Sequence, residues 1–198
     1  TDSREQPTDF VRNHGNDIRL YYMKAPDASV IADTNAWKLT VEEAMLNNHY
    51  LYFPASWVEF NQEDVDYYSE TLYDIGMKIS DSLQMPVGLI CNAVEGAPIE
   101  SFIDRRSLEW DSTLIEALYE WRNADNIKDN LHPYEPSYLY QCGIKPLESF
   151  QINSAIWLTN DSAVFSDSDS TKISAMIDSW GKAWGDFSFI FFRVKESR

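Results

Sequence analysis

The chain has 198 residues, 44% hydrophobic and 14% aromatic, a composition that excludes a disordered tract and allows one core of ordinary size. Its 32 acidic residues outnumber 16 Lys plus Arg, and the formal net charge of −16 sets it against nucleic acid and anionic membrane as partners. No apolar run reaches the roughly 20 residues that span a bilayer.

In chain order, residues 17–23 read as a strand. Residues 62–83 read as an amphipathic helix, with Val65, Tyr68, Leu72, Ile75, Ile79 and Leu83 stepping by three and four, and Asn61 placed as its N-cap. Pro86 stops that helix. Residues 87–91 then form a short unbroken apolar strand, the type buried on both faces of a parallel sheet. A helix is predicted over 111–123, a strand over 152–158, a helix over 171–184 ended by Gly185, and a last apolar strand over 187–194. This alternation predicts an α/β fold with right-handed crossovers and a parallel sheet covered on both faces. Two stretches break the rhythm: 24–60, with a short extended piece near 50–53, and 126–150, which carries three prolines around His132. Cys91 and Cys142 match neither a metal spacing nor a disulfide framework, and both read as ordinary half-buried residues.

Six short segments, taken in chain order, form a recognisable set. Ile18-Arg19-Leu20 is similar to a strand spelled NIRLF, and Met85-Pro86-Val87-Gly88-Leu89-Ile90 to GVPVGLI. Gly96-Ala97-Pro98-Ile99-Glu100-Ser101-Phe102 resembles GGTPIEAW, and Pro136-Ser137-Tyr138-Leu139-Tyr140, with Ile144, Pro146 and Leu147 behind it, resembles PSYLYNAMIAPL. Ala155-Ile156-Trp157 resembles the start of VIWYQGESN, and residues 180–192 resemble WRRAWGQGDLPFYFV. These are motifs of the sialate O-acetylesterase family of SGNH hydrolases, which the chain resembles. The resemblance implies a three-layer α/β/α, flavodoxin-like parallel sheet in a single domain over 1–198. It also implies hydrolysis of O-acetyl esters on sialic acids or other sugars without a cofactor, and a secreted or periplasmic location. In that chemistry a serine of a Gly-Gln-Ser-Asn motif attacks the acetyl carbonyl, a His near the C-terminus activates it, and a glycine amide with an Asn side chain steadies the oxyanion.

Held against that pattern, the residues depart from it. The Gly-Gln-Ser-Asn motif is absent and, with the strand that carries it, is expected upstream of Thr1, because Ile18 already matches the second family strand; Ser3 is the only local candidate and reads rather as a solvated terminal serine. Glu95-Gly96 stands where the family has Gly-Gly. Gly96 retains an amide for an oxyanion, or simply makes a turn, while the Glu95 carboxylate would oppose a developing negative charge. The third motif becomes Trp157-Leu158-Thr159-Asn160-Asp161-Ser162-Ala163. Ala163 replaces the family Asn, a loss that costs such sites about 100- to 1,000-fold in rate. Asn160 and Asp161 are the polar remnants, neither at the family position, and the segment reads rather as a polar loop after a strand. The family's Asp-x-x-His-Pro has one local echo, Asp129-Asn130-Leu131-His132-Pro133, ahead of its expected place; His14 and His49 have no acid–base partner at a readable spacing. No phosphate loop and no metal-ligand cluster is present; the acids of 166–170 read as a solvated helix start. Two functions follow as expectations. The chain is either part of a carbohydrate O-acetylesterase, or a non-catalytic glycan-binding or interaction module on that fold. The changes at Glu95, Asn160 and Ala163 favour the second.

Overall fold

The computed structural model describes residues 18–32, 52, 55–60, 70–123, 132–160 and 167–194. The described chain is mixed α/β and divides into two compact units.

The first unit is a three-stranded sheet backed by one helix. β1 (Ile18–Tyr22) pairs in parallel with β3 (Val87–Cys91), Ile18 opposite Val87 and Leu20 opposite Leu89. β2 (Trp57–Glu59) runs antiparallel along the other edge of β1. Alternation along β1 sends Ile18 and Leu20 into the core and leaves Arg19 outside, where it meets Glu59 at 3.0 Å. The core is closed by Leu89, Phe60 and Tyr73, the last on α2 (Glu70–Leu83). The predicted start of this helix, Asn61 through Tyr68, lies outside the described residues, as does the extended piece at 50–53 except Tyr52.

β1 differs from its expectation in one respect. A flavodoxin-like order, 2-1-3-4-5, places the strand preceding β1 between β1 and β3. Here β1 and β3 pair directly over five residues, and β2 takes the other edge of β1 over Arg19–Tyr21. Unpaired backbone groups are costly, and neighbouring parallel edges satisfy each other when nothing lies between them.

The second unit holds α1 (Ala28–Ala32), a 3-10 turn at Ile99–Phe102, α3 (Arg105–Trp110), α4 (Ile115–Asn123), β4 (Ser154–Asn160), α5 (Asp167–Trp184) and β5 (Ser188–Val194). β4 and β5 pair in parallel, Trp157 opposite Phe191. One face packs on α5: Trp180 lies 5.4 Å from Phe189 and 6.5 Å from Trp157, ring to ring. Leu158, Ile190 and Phe192, on alternate positions, stay 51%, 41% and 46% exposed, so among the described residues this ladder is covered on one face, not two. α5 is tied to the preceding helices by Lys172 to Glu100 and Lys182 to Asp104. Gly185 ends it at φ 68 with its N–H on Gly181 O, the left-handed cap that glycine adopts without a Cβ penalty.

The proline-rich stretch expected as a loop is largely helical at its end: a π-helix at Tyr140–Ile144 runs into a 3-10 turn at Lys145–Leu147. Pro146 is tolerated there because the first turn of a helix has no use for its missing N–H. Both cysteines are free thiols, and burial pushes the Cys142 thiol up to about 12.

Candidate functional site

The geometry that bears on function lies in the second unit, around the turn that follows β3 in the chain. Ala97 N–H donates to Val94 O (3.3 Å), which makes Glu95 and Gly96 the central residues of a β-turn. Gly96 has φ +75, the left-handed value that such a turn needs at its third residue. A Cβ at this position would also come within 2.7 Å of Tyr134 Oη. Backbone conformation and space therefore both require glycine.

Tyr134 Oη donates to Glu95 O at 2.8 Å. Burial, followed by the nearby Glu95 charge, raises the pKa of that phenol, so it stays a donor at neutral pH. The backbone N–H of Tyr134 donates to His132 Nδ1 at 3.1 Å. This assigns the proton of the neutral ring to Nε2, which faces Ile31 O at 3.2 Å. The His132 ring stands edge-on to Tyr134 at 5.0 Å and tilted against Trp121 at 5.7 Å.

His132 is thus buried, with one nitrogen accepting from a main-chain N–H and the other facing a main-chain carbonyl. Burial lowers its pKa, outweighing the opposite pull of the Ile31 carbonyl. A general base needs a free lone pair within reach of the proton it takes, and Nδ1 spends its own on Tyr134. Because the folded pKa lies below the unfolded value, the unfolded chain binds more protons below about pH 6.5. The stability carried by neutral His132 is therefore whole above that pH and is lost as pH falls toward the folded pKa. Thermal melts of the wild type between pH 7.5 and 5 are expected to show this loss, and His132→Gln, which keeps a neutral acceptor and donor, is expected to flatten it. An unchanged slope in the variant would remove His132 from the account of acid sensitivity.

The structure thus brings Gly96 and His132 together through Tyr134, a residue that sequence reasoning missed. Tyr134 reaches 39 positions back along the chain to Glu95, and no local pattern signals such a contact. Asn160 is the last residue of β4, paired with Val194 of β5. Ser3, Asp161 and Ala163, with His14 and His49, lie outside the described residues, as do Asp129 through Leu131 of the Asp-x-x-His-Pro echo. Among the described residues no group of three or more His, Cys, Asp or Glu could hold a metal ion, and no helix is long and apolar enough to cross a membrane.

Chemically, the turn offers one amide and one opposing charge. No acceptor among the described residues takes the Gly96 N–H, which on this exposed turn faces solvent and is open to a ligand oxygen. The Glu95 side chain sits beside it on an exposed turn.

No protein-family profile matches the chain, and no curated protein matches it in sequence. Among solved structures the chain is similar to XAC1771, described as a novel carbohydrate acetylesterase from Xanthomonas citri, with a TM-score of 0.57 and 18% sequence identity. The likeness covers 89% of this chain and 33% of that one, so the chain spans about a third of the length of the structure it matches. At this identity the likeness is one of architecture, and the chain has a carbohydrate-esterase-like α/β fold.

Proposed function

We propose that the chain is a carbohydrate O-acetylesterase-like domain of the SGNH type. It engages O-acetylated sugar, sialic acid among them, and turns it over slowly or not at all. The reading takes the chain as one domain built on a three-layer, flavodoxin-like α/β/α sheet, of the sialate O-acetylesterase kind, acting in a secreted or periplasmic setting without a cofactor. The observation that supports it most is the likeness to a carbohydrate acetylesterase over 89% of the chain. It is joined by a left-handed glycine turn that follows β3 in the chain, as ligand-binding loops follow strands in open α/β folds.

Full catalysis of this class needs a serine to attack the acetyl carbon, a base to take the serine proton, and donors for the oxyanion. Ser3 is the candidate nucleophile and His132 the candidate base, with Gly96, Asn160 and Asp161 as the oxyanion-side residues. His132 as held here offers no free lone pair, and the Glu95 carboxylate beside Gly96 disfavours an oxyanion. These two features favour the second form of the reading, a pseudoenzyme that binds acetylated glycan without cleaving it.

Two assays test the proposal. Acetyl release from an aryl acetate and from an O-acetylated sialic acid is expected to stay well below the ~1 s⁻¹ that marks the low end of ordinary enzymes. Enzymatic turnover that disappears in Ser3→Ala or His132→Ala would overturn the non-catalytic form. Binding is expected to be stronger for an O-acetylated glycan than for its de-acetylated twin, and equal or absent binding would defeat the carbohydrate reading itself.

A further inference from the structure

We propose that Tyr134 is a positioning residue: it holds the Glu95-Gly96 turn in the form that leaves the Gly96 N–H to a ligand, and His132 holds Tyr134. The role deepens the reading of this turn as the oxyanion side of an esterase-like site and rests on it. The local hold itself does not.

A turn with φ +75 at its third residue is one of several conformations open to an exposed Glu-Gly pair, because glycine populates both signs of φ. Something beyond the turn must select it. The bond from Ala97 N–H to Val94 O is 3.3 Å, long for its kind, and lies within the turn. The bond from Tyr134 Oη to Glu95 O comes from outside, is shorter at 2.8 Å, and fixes the peptide plane between Glu95 and Gly96. That plane carries the Gly96 N–H at its other end, so orienting the carbonyl orients the donor. The phenol also occupies the space where a Cβ on residue 96 would fall.

Tyr134 in its turn is aimed by His132. Its N–H is fixed on Nδ1, its ring stands edge-on to the imidazole, and the imidazole is anchored on Ile31 O. Ile31 lies on α1, more than a hundred residues before Tyr134, so the relay ties three distant parts of the chain. Once buried, the ring needs a partner on each nitrogen. Nε2 finds its partner on α1 and Nδ1 finds its own two residues along, and among the described residues the relay ends at the left-handed glycine turn whose amide has no protein acceptor.

The test uses the full chain, labelled with nitrogen-15. In Tyr134→Phe the ring stays and the hydroxyl goes. Hydrogen exchange at Ala97, whose N–H closes the turn on Val94 O, is expected to rise about 2- to 10-fold, the worth of one hydrogen bond, while amides of β4 and α5 keep their rates. His132→Ala is expected to loosen the same amide. His132→Gln is expected to restore it, since a glutamine amide can accept from Tyr134 N–H and donate to Ile31 O. Unchanged exchange in Tyr134→Phe, or a rise spread evenly through the unit, overturns the proposal, as does failure of His132→Gln to outperform His132→Ala. Titration with O-acetylated sialic acid separates the two levels. A Gly96 amide shift that weakens in Tyr134→Phe supports the oxyanion role. No shift in the wild type sinks that role and the functional reading with it, while the exchange result still decides whether Tyr134 holds the turn.

Discussion

Replacing Trp180 by alanine is expected to cost the fold about 3–5 kcal/mol, measured as a lowered urea midpoint. Trp180 is 7% exposed at the centre of the second unit. Its indole N–H donates to Phe102 O at 2.9 Å, and its ring meets Trp157, Trp184 and Phe189. Alanine loses the buried ring area, opens a cavity that these aromatics cannot close, and strands the Phe102 carbonyl. Trp180→Phe separates the terms. It keeps most of the ring contacts and loses the donor, so it should cost about 1–3 kcal/mol, the range for a buried group left unpaired. Equal losses in both variants would mean the hydrogen bond alone carries the residue. Losses of less than ~0.5 kcal/mol in both would mean Trp180 does not sit in a core.

Trp180 is also a residue whose place the sequence makes plain. The inward stripe Ile173, Met176, Ile177, Trp180, Trp184 follows helical spacing, and in α5 Met176 and Trp180 are buried as that spacing requires. The strand at 87–91 was equally readable, since four apolar residues around one glycine, stopped by Pro86 before and a polar loop after, leave few alternatives. The helix predicted from Asp111 starts instead at Ile115, and the cause is local. The Asp111 carboxylate accepts from Thr113 N–H at 2.8 Å and Leu114 N–H at 3.3 Å, an Asx turn that competes with the first helical turn. α3 was missed because six residues carry barely more than one period. Its signal was the cap, Asp104, which accepts from Arg106 and Ser107 N–H. β2 was missed for a different reason: three residues show no alternation, and only pairing with β1 makes them a strand.

The site was less readable than the fold. Gly96 stood out through its resemblance to a Gly-Gly motif, and the structure adds the physical requirement, a positive φ and a phenol where a side chain would go. His132 attracted notice through a local Asp-x-x-His-Pro spelling. Its partners, Ile31 and the main chain of Tyr134, are invisible to any spacing rule because one of them lies 101 residues away. A motif reports residue types in order. Whether a histidine serves as a base or as a brace depends on what its two nitrogens touch, which is a property of the folded chain.

Phe60 provides the counterpart in the first unit, at a position to which sequence periodicity assigned no element. Phe60 is fully buried, its ring stands edge-on to Tyr73 at 5.1 Å, and its N–H donates to Ile18 O at 3.1 Å, prolonging the β1–β2 ladder by one bond. Phe60→Ala is expected to cost about 3–5 kcal/mol, because Ile18, Leu20 and Leu89 come from two paired strands and cannot both keep register and fill the void. Phe60→Leu keeps most of the volume and should cost less than about 1.5 kcal/mol. Hydrogen exchange at Leu20 and Leu89 reads the difference: protection should fall roughly 100-fold or more in the alanine variant and about tenfold or less in the leucine variant. Protection that survives Phe60→Ala would mean the core of this sheet closes without Phe60, and the short β2 strand leading to it would lose its reason to pair. Protection that falls at β1 and β3 together would mean that a residue outside every recognisable pattern locks the strand from which the chain runs on to the glycine turn.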